Sequence, residues 1–278
     1  MKSFFTVFTL LLSMVLMAKR TTVPIEKAVK TGLISFKIRG TGIYKGDCLK
    51  LSLINNKDDS LIIWLEAGRR LDSRNNHEQD ILITKDQFFV LGKKQSKDFM
   101  ASGFCCQATN HAPGKDSVFL LGKKANPNLS TLAVFCNINK FSINDTQSAV
   151  WCVSNKRPLA SIPESNEVLR KFVSKITKEE IPWYQIEYEK ANSNSQISQT
   201  IERISGNISY TLPKDDSFKI ELRNAKGYLV QDFASKKMVE KGDYDYWFDL
   251  QVSNFPQGSY FIYIYNGSEI VKKKGFEL

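Results

Sequence analysis

The chain is poor in the residues that metal and acid–base chemistry draw on. Only two histidines, His77 and His111, occur in 278 residues. They do not combine with the thiols at the spacing of a zinc site, so no metal ligand set is read and no cofactor is expected. Paired catalytic carboxylates are absent as a pattern: Glu66, Asp72 and Asp80 stand in ordinary contexts. Beyond the first twenty residues no apolar run is long enough to span a bilayer, so the mature chain is expected to lack a transmembrane segment. No nucleic-acid motif accompanies the formal charge of +10. Its basic residues are spread in short runs such as Lys93-Lys94 and Lys123-Lys124, the pattern of a solvated surface or of a patch for acidic glycans.

What is present begins with an address. Lys2 precedes an apolar stretch from Phe4 to Met17, followed by the small residue Ala18. This reads as a secretory signal over residues 1–18, too short in its apolar part to cross a membrane comfortably. From about Thr31 to Met100 the pattern is that of strands. In "LISFKIRG" Ile34, Phe36 and Ile38 share a face. In "DCLKLSLINN" Cys48, Lys50 and Ser52 oppose Leu49, Leu51 and Leu53. Short strands parted by polar turns predict an antiparallel sandwich over 25–162.

After Asn126 the period becomes helical. "PNLSTLAVFCNINKF" and "INDTQSAVWCVSN" read as two short helices on the end of that sandwich, with Asp145 as the expected N-cap of the second. Pro163, Ser165 and Asn166 open a third, "NEVLRKFVSKI", which with the polar "ANSNSQISQT" forms a helical and polar linker over 163–203. Alternation then returns in "DSFKIELRNAKG" and "KGDYDYWFDLQV", and Asn266-Gly267 marks a hairpin. The expected fold is mainly β: two Ig-like antiparallel sandwiches, the first with appended helices and the second over 204–278.

The last third carries a Tyr-x-Leu-Pro opening (Tyr210, Leu212, Pro213), a Pro-x-Gly-x-Tyr element (Pro256, Gly258, Tyr260) and a closing basic strand, Lys272 to Lys274. In these it resembles the Ig-like domain of flagellar hook-capping proteins and the C-terminal sorting domain of type IX secretion cargo from Bacteroidota. The resemblance implies an exported protein whose last domain engages export machinery or an outer-membrane partner through Gly258, Tyr260, Lys272, Lys273 and Lys274, and is removed afterwards. An ordinary Ig-like domain carries the same features, and that alternative stays open. The phrases "GRRLDS", "GFCCQA" and "QSAVWC" resemble secreted proteins of the same phylum, which implies an address and a fold but no chemistry.

Five cysteines invite two readings. In an exported chain disulfides are expected. Adjacent Cys105 and Cys106 point to opposite faces of a strand, so they are expected to pair with Cys48 and Cys152 in an order left open, with Cys136 over. The sharper alternative is a thiol hydrolase, with Cys105 or Cys106 as nucleophile and His111 as base. Between two strands, "EAGRRLDSRNNHEQD" concentrates Arg69, Arg70, Asp72 and Arg74, a candidate tip loop in which arginines clasp an acidic group. Gln147 and Trp151, four apart, share a helix face, with Gln147 expected on buried backbone. Trp183, Tyr184 and Tyr188 form either an inter-domain packing strip or a glycan-stacking platform. The reading these features support is an exported, non-catalytic surface or secreted binding module. A resident structural subunit of a periplasmic or outer-membrane assembly is the runner-up.

Overall fold

The structure, a computed structural model, describes residues 21–189 and 198–278. The expected signal segment, 1–18, lies outside the described residues, as does most of the polar "ANSNSQISQT" stretch. In chain order the elements are β1 (Thr21–Pro24), α1 (Ile25–Lys30), β2 (Ile34–Thr41), β3 (Lys45–Asn55), β4 (Leu61–Leu65), β5 (Arg69–Ser73), β6 (Ile81–Leu82), β7 (Gln87–Leu91), β8 (Ser96–Cys105) and β9 (Lys115–Lys124). Then come α2 (Pro127–Ile138), α3 (Ile143–Asn155), a 3₁₀ turn (Leu159–Ser161) and α4 (Glu167–Thr177). The chain ends with β10 (Tyr184–Tyr188), β11 (Ile201–Leu212), β12 (Asp216–Asn224), β13 (Leu229–Val239), β14 (Gly242–Gln251), β15 (Ser259–Asn266) and β16 (Glu269–Glu277). The fold is mainly β, with antiparallel sheets and a few short helices.

In the first unit the main sheet does not stay open. Its strands run β2-β3-β8-β6-β5-β9 and close on themselves, beside a three-stranded sheet β1-β4-β7. A sandwich pattern and a small barrel share the same alternation of apolar and polar residues. Closure here depends on β6, two residues long, which bridges β5 to β8. Register shifts in the β2–β9, β5–β9 and β3–β8 ladders bend the strands enough to meet. The shift between Gly46 and Leu49 also breaks the expected alternation, so Cys48 and Leu49 are both buried. Gly103 lies where β8 crosses β6: a Cβ there would fall 2.3 Å from Ile81 Cγ2. Only glycine permits that approach.

The helices cover one end of the barrel. Their apolar faces meet Leu82, Phe104 and Cys106 in a second core, with Leu132, Ala133, Val150 and Leu169. Asn126 caps α2 by accepting from Leu129 N, and Asn166 caps α4 by accepting from Leu169 N. The cap of α3 is Ser142, whose hydroxyl accepts from Asp145 N at 3.1 Å; Asp145 sits in the first turn instead. Gln147 behaves as its spacing suggests, accepting from Cys105 N and donating to Cys105 O.

The second unit is a two-layer sandwich. Sheets β10-β11-β14 and β13-β12-β15-β16 enclose a core of Ile204, Ile208, Ile220, Phe248, Ile262 and Ile264. Alternate burial along β15 shows the period of two directly. Strand β10 falls within the span read as linker, yet it pairs with β11 from Tyr184↔Gly206 to Tyr188↔Ile201. The second unit therefore begins at about Trp183, whose ring packs on Phe248 and whose indole donates to Gly275 O.

Candidate functional site

The cysteines answer the disulfide question first. Cys48, Cys105, Cys106, Cys136 and Cys152 are all free and all buried, so the expected bridges from Cys48, Cys105, Cys106 and Cys152 are overturned. Neighbouring positions in sequence and opposite sides of a strand lead into two different cores: Cys105 joins the barrel core and Cys106 the helical one. Burial pushes Cys48, Cys136 and Cys152 up to about 12 and raises Cys105 and Cys106 as well. That is the opposite of what activates a thiol nucleophile. His111 is exposed, and its backbone N–H donates to His77 O.

The arginine cluster is placed differently from a tip loop. Arg69, Arg70 and Asp72 lie on β5, and Arg74 alone of the four is exposed, at the start of the following loop. Arg70 is held by Asp72 at 2.5 Å and faces Asp80 at 3.7 Å. Arg69 shares the inward parity of Leu71 and is 3% exposed.

Around Arg69 three chain segments converge. The turn from β4 to β5 bends at Gly68, whose φ of +87° suits glycine. It leaves Glu66 three residues from Arg69, and the guanidinium donates from Nε and Nη2 to Glu66 Oε1. Nη1 donates to Gly122 O on β9, and Nη2 donates to Glu26 Oε2 on α1. Burial works against the Arg69 charge, but the bonds from the two carboxylates outweigh it and hold its pKa above the ordinary value. Asp86 braces this turn from behind, accepting from Trp64 Nε1 and from Ala67 N through one oxygen.

The cluster forms the floor of a cavity of about 420 Å³, with Trp64 on its wall and Lys27, Lys30 and Lys124 at its rim. Four basic side chains face two carboxylates there. Glu66 is 6% exposed, and its Oε2 is buried with no hydrogen-bond partner. A buried acceptor without a donor is rare in a folded protein, and here it belongs to a residue that lines a cavity. The arrangement is suited to a ligand that donates a hydrogen bond inward and carries negative charge outward. Sequence reasoning singled out Arg69 but missed Glu26, Lys27 and Lys30. Nothing in the sequence signals that α1 brings Glu26 to Arg69.

The residues tied to the sorting resemblance fall into two groups. Gly258 (φ +144°) and Tyr260 build the end of the sandwich: the Tyr260 hydroxyl donates to Pro256 O at 2.8 Å, and its ring is buried on Phe276. Lys272, Lys273 and Lys274 lie on β16, an edge strand, as expected. Lys273 Nζ stands 4.1 Å over the Phe261 ring, and Lys274 Nζ stands 5.7 Å over Trp183. Trp183 and Tyr184 pack against Phe248 and Phe276 inside the second sandwich, whereas the Tyr188 ring reaches Arg157 of the first unit at 4.1 Å.

No protein-family model matches this chain, and no curated protein matches it.

Proposed function

We propose that the chain is an exported, non-catalytic binding module that takes an acidic glycan at the lysine-rimmed cavity. One observation carries the reading: Glu66, whose Oε2 is buried and unpartnered, lines a cavity whose rim holds Lys27, Lys30 and Lys124. A sugar hydroxyl donates to Glu66, a sugar carboxylate or sulfate meets the lysines, and Trp64 offers an apolar wall. The test is calorimetric titration with an oligogalacturonate. The expected result is saturable binding that weakens with salt and falls about tenfold in Lys124→Glu and in Glu66→Gln, which keeps an oxygen for Arg69. Binding unchanged in both variants overturns the assignment. Arg69→Ala is a poor test, because it would leave two carboxylates facing each other without their shared cation.

In this reading the C-terminal sandwich addresses the protein to export machinery or an outer-membrane partner through its basic edge strand, where backbone groups are open to pairing. A specific observation favours the runner-up, a resident subunit that keeps this sandwich. Strand β10 is part of the second unit, so a cut in residues 190–197 leaves one strand of that unit on the first fragment. Intact masses of the protein from cell envelope and medium separate the two. A form ending before β10 supports removal, and an uncut chain in the envelope supports the resident subunit.

A further inference from the structure

A second buried polar atom without a partner belongs to a residue that lines a second cavity. It is Arg157 Nε, at the junction of the two units. The chain leaves α3 through Lys156, whose φ of +56° turns it back, and this brings Arg157 over the Trp151 ring at 4.6 Å. Tyr188, on β10, covers the other side at 4.1 Å, and Tyr44 stacks on Trp151 at 6.0 Å. The guanidinium is 6% exposed, and its Nη2 donates to Ser198 O. Among the described residues no carboxylate forms an ion pair with it, and burial lowers its pKa.

We infer that the cavity beside this stack, about 430 Å³ in volume, is a binding site for an uncharged saccharide unit. The volume is in the ordinary range for small-ligand sites, roughly 300–1,000 Å³. Its wall selects the class. Asp145, Glu187 and Glu189 accept hydrogen bonds, Arg157 donates, and the hydroxyls of Ser148 and Ser161 do either. A polyhydroxyl ligand both donates and accepts, and it satisfies the Arg157 N–H without bringing charge. An anion is disfavoured by three carboxylates against two cations, one of which, Lys45, already donates to Asn144. An ammonium compound is disfavoured by the buried Arg157. A metal ion lacks a ligand set: among the described residues no group of three His, Cys, Asp or Glu side chains is arranged to hold one. The site shares no lining residue with the lysine-rimmed cavity, so it stands apart from the proposal for that cavity.

The experiment follows tryptophan emission, to which Trp151 inside the stack contributes beside Trp64, Trp183 and Trp247. The full chain is titrated with galactose, mannose, N-acetylglucosamine and their disaccharides. Glucuronate is the acidic control and glucosamine the cationic one. The expected result is a saturable emission change with at least one uncharged sugar. It weakens at least tenfold in Arg157→Lys, which keeps the charge and removes the Nε donor, and also in Ser148→Trp, which fills the cavity from α3. The second variant leaves the stack intact, so the test survives if Arg157→Lys folds poorly. The inference is overturned if no uncharged sugar binds, if glucuronate or glucosamine binds more tightly than every uncharged sugar, or if Ser148→Trp keeps the parental affinity.

Discussion

Arg170 on α4 holds the two units together, and its replacement by methionine tests that account. The side chain is 2% exposed. Its Nε donates to Ile162 O at 2.7 Å, Nη1 to Pro182 O at 3.1 Å and Nη2 to Tyr184 O at 2.9 Å. Pro182 and Tyr184 flank the point where the chain enters the second sandwich. Hydrogen bonds from a charged donor contribute about 1.5–3 kcal/mol each, so three amount to about 4.5–9 kcal/mol. Methionine also relieves a desolvated charge, whose burial already lowers the Arg170 pKa, and that returns several kcal/mol. The carbonyls win because methionine gives them no donor, and the net loss is about 3 kcal/mol. For a chain of this size that is a fall in Tm of about 6–12 °C. Urea unfolding and calorimetry of Arg170→Met should show this loss and a separation of the transition into two, since two of the bonds lost hold the entry to the second unit, at Pro182 O and Tyr184 O. Arg74→Ala, at an exposed position, should stay within about 0.5 kcal/mol of the parent. A stability for Arg170→Met within about 1 kcal/mol of the parent, with a single transition, would refute the reasoning.

Two further outcomes are expected. The Lys30 ammonium and the Arg69 guanidinium hold Glu26 at about 2 instead of 4.5. Because the folded value is the depressed one, the stability it contributes is complete above about pH 4.5 and is lost as pH falls toward about 2. The parent Tm should therefore drop more steeply than that of Glu26→Gln across this window, and parallel curves would refute the pairing. All five cysteines are buried thiols, so a thiol reagent should label none rapidly in the native protein and five after denaturation. A mass lower by two or four hydrogens before labelling would restore the disulfides.

The parts that were legible in the sequence are those set by one local rule. Asn266-Gly267 gave the β15–β16 hairpin because a tight turn needs a positive φ, and Gly267 has +63°. Gln147 and Trp151 gave a shared face because a helix repeats at four residues. The parity of Arg69 with Leu71 in "RRLDS" already marked that arginine as inward, a signal that the surrounding charge obscured. What stayed hidden depends on long-range meetings. Barrel closure rests on the two residues of β6, and the cavity floor on Glu26 meeting Glu66 and Arg69 from a separate segment. The disulfide expectation failed for the same reason. The oxidising compartment read from the N-terminus favours bridges, but pairing needs thiols that meet, and strand alternation sends Cys105 and Cys106 into different cores.

The junction also bears on the proposed removal of the second sandwich. A removable address is best joined by a stretch that crosses no core, so that cutting it separates two finished folds. Here the segment before residues 190–197 is already committed to the second sandwich. Ile186 is buried in its core, Gln185 donates to Ser205 Oγ, and the Tyr188 ring stacks on Arg157 of the first unit. From the other side Gln199 donates to Ala108 O, and Arg157 to Ser198 O. A cut between 190 and 197 therefore breaks the chain without breaking the interface. The fragments should stay associated, because separating them would pull β10 out of its ladder with β11 and strip Trp183 from Phe248. Release in fact needs a cut before Trp183, in the stretch between α4 and β10, and there Arg170 binds the carbonyls on both flanks of Trp183. The geometry thus ties the second sandwich to the first, with the cavity beside Arg157 lying between them.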